Sequence, residues 1–97
     1  MGYYLYILRC SDDSLYTGIA TDVARRVAEH ESGTRGAKYL RGRLPVELVF
    51  QCDAGDRGAA LRLEHQVKRM TRATKEAVID GRIPIDPEIQ ASGISSG

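Results

Sequence analysis

The sequence predicts an α+β fold, a small three-stranded antiparallel sheet flanked by helices in the order β-β-α-β-α-α, and three observations carry that prediction. Two short runs rich in aromatic and β-branched residues are separated by a turn-forming pentapeptide. A third run alternates apolar and polar side chains. The remaining segments place apolar residues three and four apart. Locally paired strands and the helices that follow them stack as layers around one core. A chain of 97 residues has room for one such core.

The first strand is expected over Tyr3 to Arg9 and the second over Leu15 to Ala20, joined through Cys10-Ser-Asp-Asp-Ser14 as an antiparallel hairpin. Because side chains alternate along a strand, Tyr4 and Tyr6 share one face, and so do Tyr16 and Gly18. Thr21 and Asp22 are good N-cap types ahead of Val23 to His30, a helical pattern whose end is marked by Ser32-Gly33. Residues 34 to 45, rich in Gly, Arg and Lys and closed by Pro45, read as an irregular connection. Val46 to Cys52 follows as the third strand, and Asp53 to Asp56 as a turn with a cap. Arg57 to Met70 carries Ala60, Leu63, Val67 and Met70 at helical spacing. A shorter helix then runs from Thr71 or Arg72 to Ile79, stopped by Gly81. One domain over residues 1–83 is expected, with 84–97 as a partly disordered C-terminal tail containing Pro84, Pro87 and a Ser/Gly-rich end.

The net charge of +1 argues neither for nor against a polyanionic partner, but its distribution is uneven. Between Asp22 and Lys75 there are twelve basic residues against seven acids, while Asp12, Asp13, Glu76, Asp80, Asp86 and Glu88 lie in the margins. A basic middle points to phosphate-bearing ligands, and a solvated charged surface is the plainer explanation. Cys10 and Cys52 are isolated from each other and from any Cys/His cluster, which argues against structural zinc and suits small buried thiols in a reducing compartment. No apolar run reaches the length of a signal peptide or membrane span, so a cytoplasmic location is expected.

Two predicted helices break the rule for buried faces. The inward stripe of the first runs Val23, Arg26, Val27, His30, and that of the second runs Ala60, Leu63, Glu64, Val67, Met70. Ionisable groups at such positions destabilise unless paired or ligated. Arg26 or Lys68 pairing with Glu64 is one explanation, and a shared polar site is the other. Strand tyrosines such as Tyr6 and Tyr16 are, taken alone, ordinary packing residues, and Gly18 an ordinary strand-end glycine. Tyr3, Tyr4 and Tyr39 are candidates for packing or for facing nucleic acid, and His65 reads as surface.

The parts form an ordered set: Tyr4-Leu5-Tyr6 on the first strand, Tyr16-Thr17-Gly18 on the second, Arg26 eight residues later, His30 one turn on, and Glu64 on a later helix. From Tyr3 to about Ile79 this resembles the GIY-YIG nuclease superfamily, in its small stand-alone bacterial, YhbQ-like (UPF0213-type) branch. Tyr4 stands at the first motif's glycine and Thr17 at the centre of the second motif, positions that supply no chemistry in the family. The resemblance implies a metal-dependent endonuclease hydrolysing phosphodiester bonds in DNA, structured or damaged DNA included, with RNA left open. Relatives serve in DNA repair, recombination, restriction and intron mobility and take specificity from appended domains, so a bare module implies weak sequence preference or a protein partner.

By the same resemblance Tyr6, Tyr16, Arg26, His30 and Glu64 are catalytic. Glu64 ligates one divalent cation, Mg2+ or Mn2+. Tyr6 is the general base, its phenolate stabilised by Arg26; Tyr16 positions phosphate or water; and His30 hydrogen-bonds Tyr6 or shares its proton. Lys38, Arg41, Arg43 and Lys68 are the expected nucleic-acid contacts. The rival readings are a non-catalytic nucleic-acid-binding module that keeps the fold, and a protein-interaction domain whose polar stripes are buried ion pairs.

Overall fold

The computed structural model describes residues 2–32 and 38–85. Strands β1 (Tyr3–Cys10) and β2 (Leu15–Ala20) form the hairpin, with Tyr6 opposite Gly18 and Leu8 opposite Tyr16. The Cys10 amide donates to the Ser14 carbonyl at 2.8 Å to close its turn, where Asp13 takes φ +68°, a left-handed conformation that Asp tolerates better than most residues. Strand β3 (Val46–Gly55) pairs antiparallel with the other side of β1, giving the order β2-β1-β3. The first strand is therefore central, and its Leu5, Tyr6, Ile7 and Leu8 are all at most 1% exposed.

β3 runs three residues beyond the Cys52 end that the pattern predicts. Tyr4 pairs with Asp53 and Tyr3 with Gly55, so the ladder with β1 carries the strand through the expected turn until Gly55, at φ +81°, ends it. Helices α1 (Val23–Ser32), α2 (Arg57–Lys68) and α3 (Arg72–Ile79) fall where the spacing places them, although α2 stops before Met70. Asp56 caps α2 by accepting from the Ala59 amide at 2.8 Å, and Thr71 caps α3 by accepting from that of Thr74 at 3.2 Å. In the connection read as irregular, Lys38–Leu40 forms a 3-10 turn. The tail from residue 86 onward lies outside the described residues, and Ile85 just before it is buried in the core.

Alternation on β1 divides the core into two layers. Leu5 and Ile7 pack with Ala60, Leu63 and Val67 of α2 and Val78 of α3. Tyr6, Leu8 and Cys10 face the other way, against Val23 of α1 and Leu40 of the 3-10 turn. The sheet is thus sandwiched between α1 and the α2–α3 pair, with β2 as an edge strand where the two sides meet.

Candidate active site

Tyr6 is the centre of the α1 side of the sheet. Its ring lies across Gly18 on the neighbouring strand, and a Cβ built at that glycine would come 2.6 Å from the Tyr6 hydroxyl oxygen and 2.7 Å from Cζ. Gly18 is therefore more than a strand end: a side chain there would evict the tyrosine ring. The Tyr6 hydroxyl lies 2.9 Å from Nε2 of His30, itself buried at the end of α1. Tyr16, two residues along β2 from Gly18, turns its ring 6.3 Å from that of Tyr6 and edge-on to His30 at 5.5 Å.

Arg26 lies one helical turn before His30. It donates to Glu29 Oε1 at 3.0 Å, and its positive charge acts on the Tyr6 hydroxyl. Partial burial opposes its charge, but Glu29 and Tyr6 together hold its pKa above the ordinary value. Burial lowers the pKa of His30, and the Arg26 charge lowers it further, so the imidazole is neutral at pH 7. Tyr6 is pushed up to about 12, first by burial and then by Tyr16, against a smaller pull downward from Arg26. Desolvation outweighs the guanidinium, so the resting phenol keeps its proton at neutral pH.

Tyr6, Tyr16, Arg26 and His30 thus converge, whereas Glu64 belongs to the opposite layer. Its charge reaches Tyr6 as the weakest of five influences, and its Oε2 lies 3.3 Å from Lys68 Nζ. Of the two partners considered for Glu64, Lys68 is the one found, and Arg26 pairs with Glu29 instead. That pair is of the i,i+4 kind, with Lys68 53% exposed. It contributes roughly 0.2–0.5 kcal/mol, too little to explain a carboxylate in an apolar stripe. No cluster of three metal-ligating side chains occurs among the described residues. A single half-buried carboxylate nevertheless fits a hard divalent cation that completes its shell with water and phosphate oxygens.

The remaining candidates differ in availability. Lys38, in the 3-10 turn, and Arg41, just after it, are exposed. Arg43 is engaged within the protein, in an ion pair with Asp12 and with its guanidinium 4.4 Å over the Tyr39 ring. Tyr39 stacks on Tyr16 at 5.9 Å, so a ladder runs from Arg43 through two rings to His30. The sequence reading gave no role to Lys75 and read Gly18 only as a motif member or an ordinary strand-end glycine. Lys75, on α3, lines a pocket with Tyr16, and Gly18 is the seat of Tyr6. The cross-strand offset of Tyr6 and Gly18 was a usable signal for the glycine; none marked Lys75.

Residues 2–77 match the GIY-YIG catalytic domain family, and the chain belongs to it. It is thereby a member of a nuclease family, at the level of the fold and its catalytic domain. Among curated relatives, it is 52% identical over 77 residues to a UPF0213 protein of Yersinia pestis, covering 79% of this chain and 80% of that one. To a UPF0213 protein of Cronobacter sakazakii it is 48% identical over 84 residues, 87% of each. The solution NMR structure of a UPF0213 protein from Bacillus halodurans matches with TM-score 0.53 at 46% identity, over 82% of this chain and 84% of that one. A solution NMR structure of a protein from E. faecalis matches with TM-score 0.59 at 38% identity, over 84% and 85%.

Proposed function

We propose that this protein is a metal-dependent endonuclease hydrolysing phosphodiester bonds in DNA, with Tyr6, Tyr16, Arg26 and His30 as catalytic side chains and Glu64 as the ligand of one Mg2+ or Mn2+. The observation that carries the reading is the 2.9 Å contact of the Tyr6 hydroxyl with a His30 held neutral beside Arg26. Hydrolysis needs a deprotonated water, neutralised charge on the phosphate and a proton for the leaving oxygen. A phenol with a pKa of about 12 is no base at rest, but it can relay. Tyr6 takes the proton of the attacking water as its own hydroxyl proton passes to Nε2 of His30, in the tautomer that leaves Nε2 free to accept. Arg26 donates to the scissile phosphate, and the Tyr16 hydroxyl orients phosphate or water. Glu64 would hold the cation, which when bound would supply charge neutralisation at the phosphate and the leaving oxygen. Lys38, Arg41 and Lys68 are the side chains offered to the flanking backbone.

The test is a cleavage panel of supercoiled plasmid, single-stranded DNA, branched DNA and RNA, each with Mg2+, Mn2+ or chelator. Cation-dependent nicking of a DNA substrate is the expected outcome. Binding without cleavage on any substrate indicates the non-catalytic module instead, and cleavage confined to RNA moves the substrate class.

A further inference from the structure

A pocket of about 400 Å³ opens along the β2 edge, walled by Leu15, Tyr16, Thr17, Tyr39, Lys68 and Lys75. Pockets that hold small ligands span about 300–1,000 Å³. This one draws its walls from both sides of the sheet: Tyr39 from the 3-10 turn on the α1 side, Lys68 and Lys75 from α2 and α3 on the other. It adjoins the site just described through Tyr16, which belongs to both, and through Lys68, which is paired with Glu64.

Its electrostatics are one-sided. No carboxylate lines it, and Lys75 is half-buried with no acidic side chain within ion-pair distance among the described residues. A second pocket, about 320 Å³, lies across Arg26 and has the opposite character. There Asp22 and Glu29 stand beside Arg25 and Arg26, and Glu29 pairs with both arginines at 3.5 and 3.0 Å. A partly desolvated ammonium without a counter-charge is unfavourable unless an anion joins it. Aromatic walls beside it suit a nucleoside.

Resting on the nuclease reading, we infer that the β2-edge pocket is a nucleotide subsite: Lys75 holds the phosphate adjoining the scissile one, with Tyr39 and Tyr16 walling the sugar and base. Arg43, fixed by Asp12, covers the outer face of Tyr39 and keeps that ring stacked on Tyr16, so the wall is rigid before substrate arrives.

Binding is measured in chelator, so that no cleavage enters. The 5′-phosphorylated thymidine dinucleotide is titrated into the isotope-labelled protein, and a labelled oligothymidine is followed by anisotropy across a salt series with wild type, Lys75→Gln and Lys75→Arg. The dinucleotide should move the amide resonances of Thr17, Tyr39 and Lys75, and unphosphorylated thymidine should move them far less. Lys75→Gln should weaken oligothymidine binding several-fold and flatten the slope of log K against log salt by about 0.7, the contribution of one phosphate contact on a single strand, while Lys75→Arg keeps the slope. Shifts confined to other surfaces, or a Gln variant that loses affinity with an unchanged slope, would overturn the subsite. A protein that binds the dinucleotide here yet cuts nothing retains the subsite and loses the nuclease reading; one that cuts DNA with no response in this pocket does the reverse.

Discussion

At the scale of single residues the proposed proton relay depends on three atoms: the Tyr6 hydroxyl oxygen, Nε2 of His30 and the Cα of Gly18. Tyr6→Phe removes the relay oxygen and keeps the ring that packs on Gly18, so plasmid cleavage should be almost lost while the circular dichroism spectrum stays native. If that variant turns over at the wild-type rate, the base is not Tyr6, and the partly exposed Tyr16 inherits the role. Gly18→Ala forces a methyl into the buried Tyr6 ring. Overpacking of this kind destabilises by about 1–3 kcal/mol, which in a domain this small lowers Tm by about 4–8 °C per kcal/mol. Calorimetry checks it, and cleavage should fall as well because the hydroxyl is displaced.

His30 adds a pH signature. Its folded pKa lies below the ordinary 6.5, so the folded state binds fewer protons than the unfolded chain. The stability gained by keeping it neutral is complete above pH 6.5 and is lost as pH falls through its lower folded value. Glu76, held down at about 2 by Arg9 and then Arg72, keeps its contribution above its ordinary 4.5 and loses it only as pH falls toward 2. The interval between pH 6.5 and 4.5 therefore reports His30. Tm should fall across it in the wild type, and the fall should be shallower in His30→Gln.

At the scale of elements, sequence was informative wherever structure is local. The hairpin, the three helices and the cap at Asp56 follow from spacing and residue type over a few positions. β3 was misjudged at its end because only its pairing with β1 holds Asp53 and Ala54 extended. The strand order, the stacking of Tyr39 on Tyr16 and the approach of Lys75 join residues remote in sequence, and no local pattern encodes them. The docking of α3 is also non-local. Arg9, on the central strand, makes a bidentate pair with Glu76 at 3.0 and 2.9 Å, and Arg72 ties Glu76 and Asp13 together. These groups are partly exposed and screened, so Glu76→Gln should lower stability by no more than about 1 kcal/mol in denaturant unfolding. Hydrogen exchange in α3 should accelerate more than in β1, because the network joins the helix to the strand.

At the scale of the whole molecule, the proposed site draws on the polar stripes of both α1 and α2. The sheet holds Tyr6 and Tyr16 on the α1 side beside Arg26 and His30, and Glu64 and Lys68 approach from the other layer at the β2 edge. Family membership makes the chain a GIY-YIG domain; the assignment of Glu64 as the cation ligand is the step on which the proposed metal-dependent activity rests. Glu64→Ala tests it most directly, by following the nicking of supercoiled plasmid in Mg2+ with Tm and DNA affinity in chelator measured on the same variant. Nicking should be abolished, Tm should change little because Lys68, 53% exposed, stays solvated without its partner, and metal-free affinity should hold level or rise as a negative charge near the phosphate is removed. Nicking that survives in Glu64→Ala, or a Tm that collapses with it, would contradict the assignment.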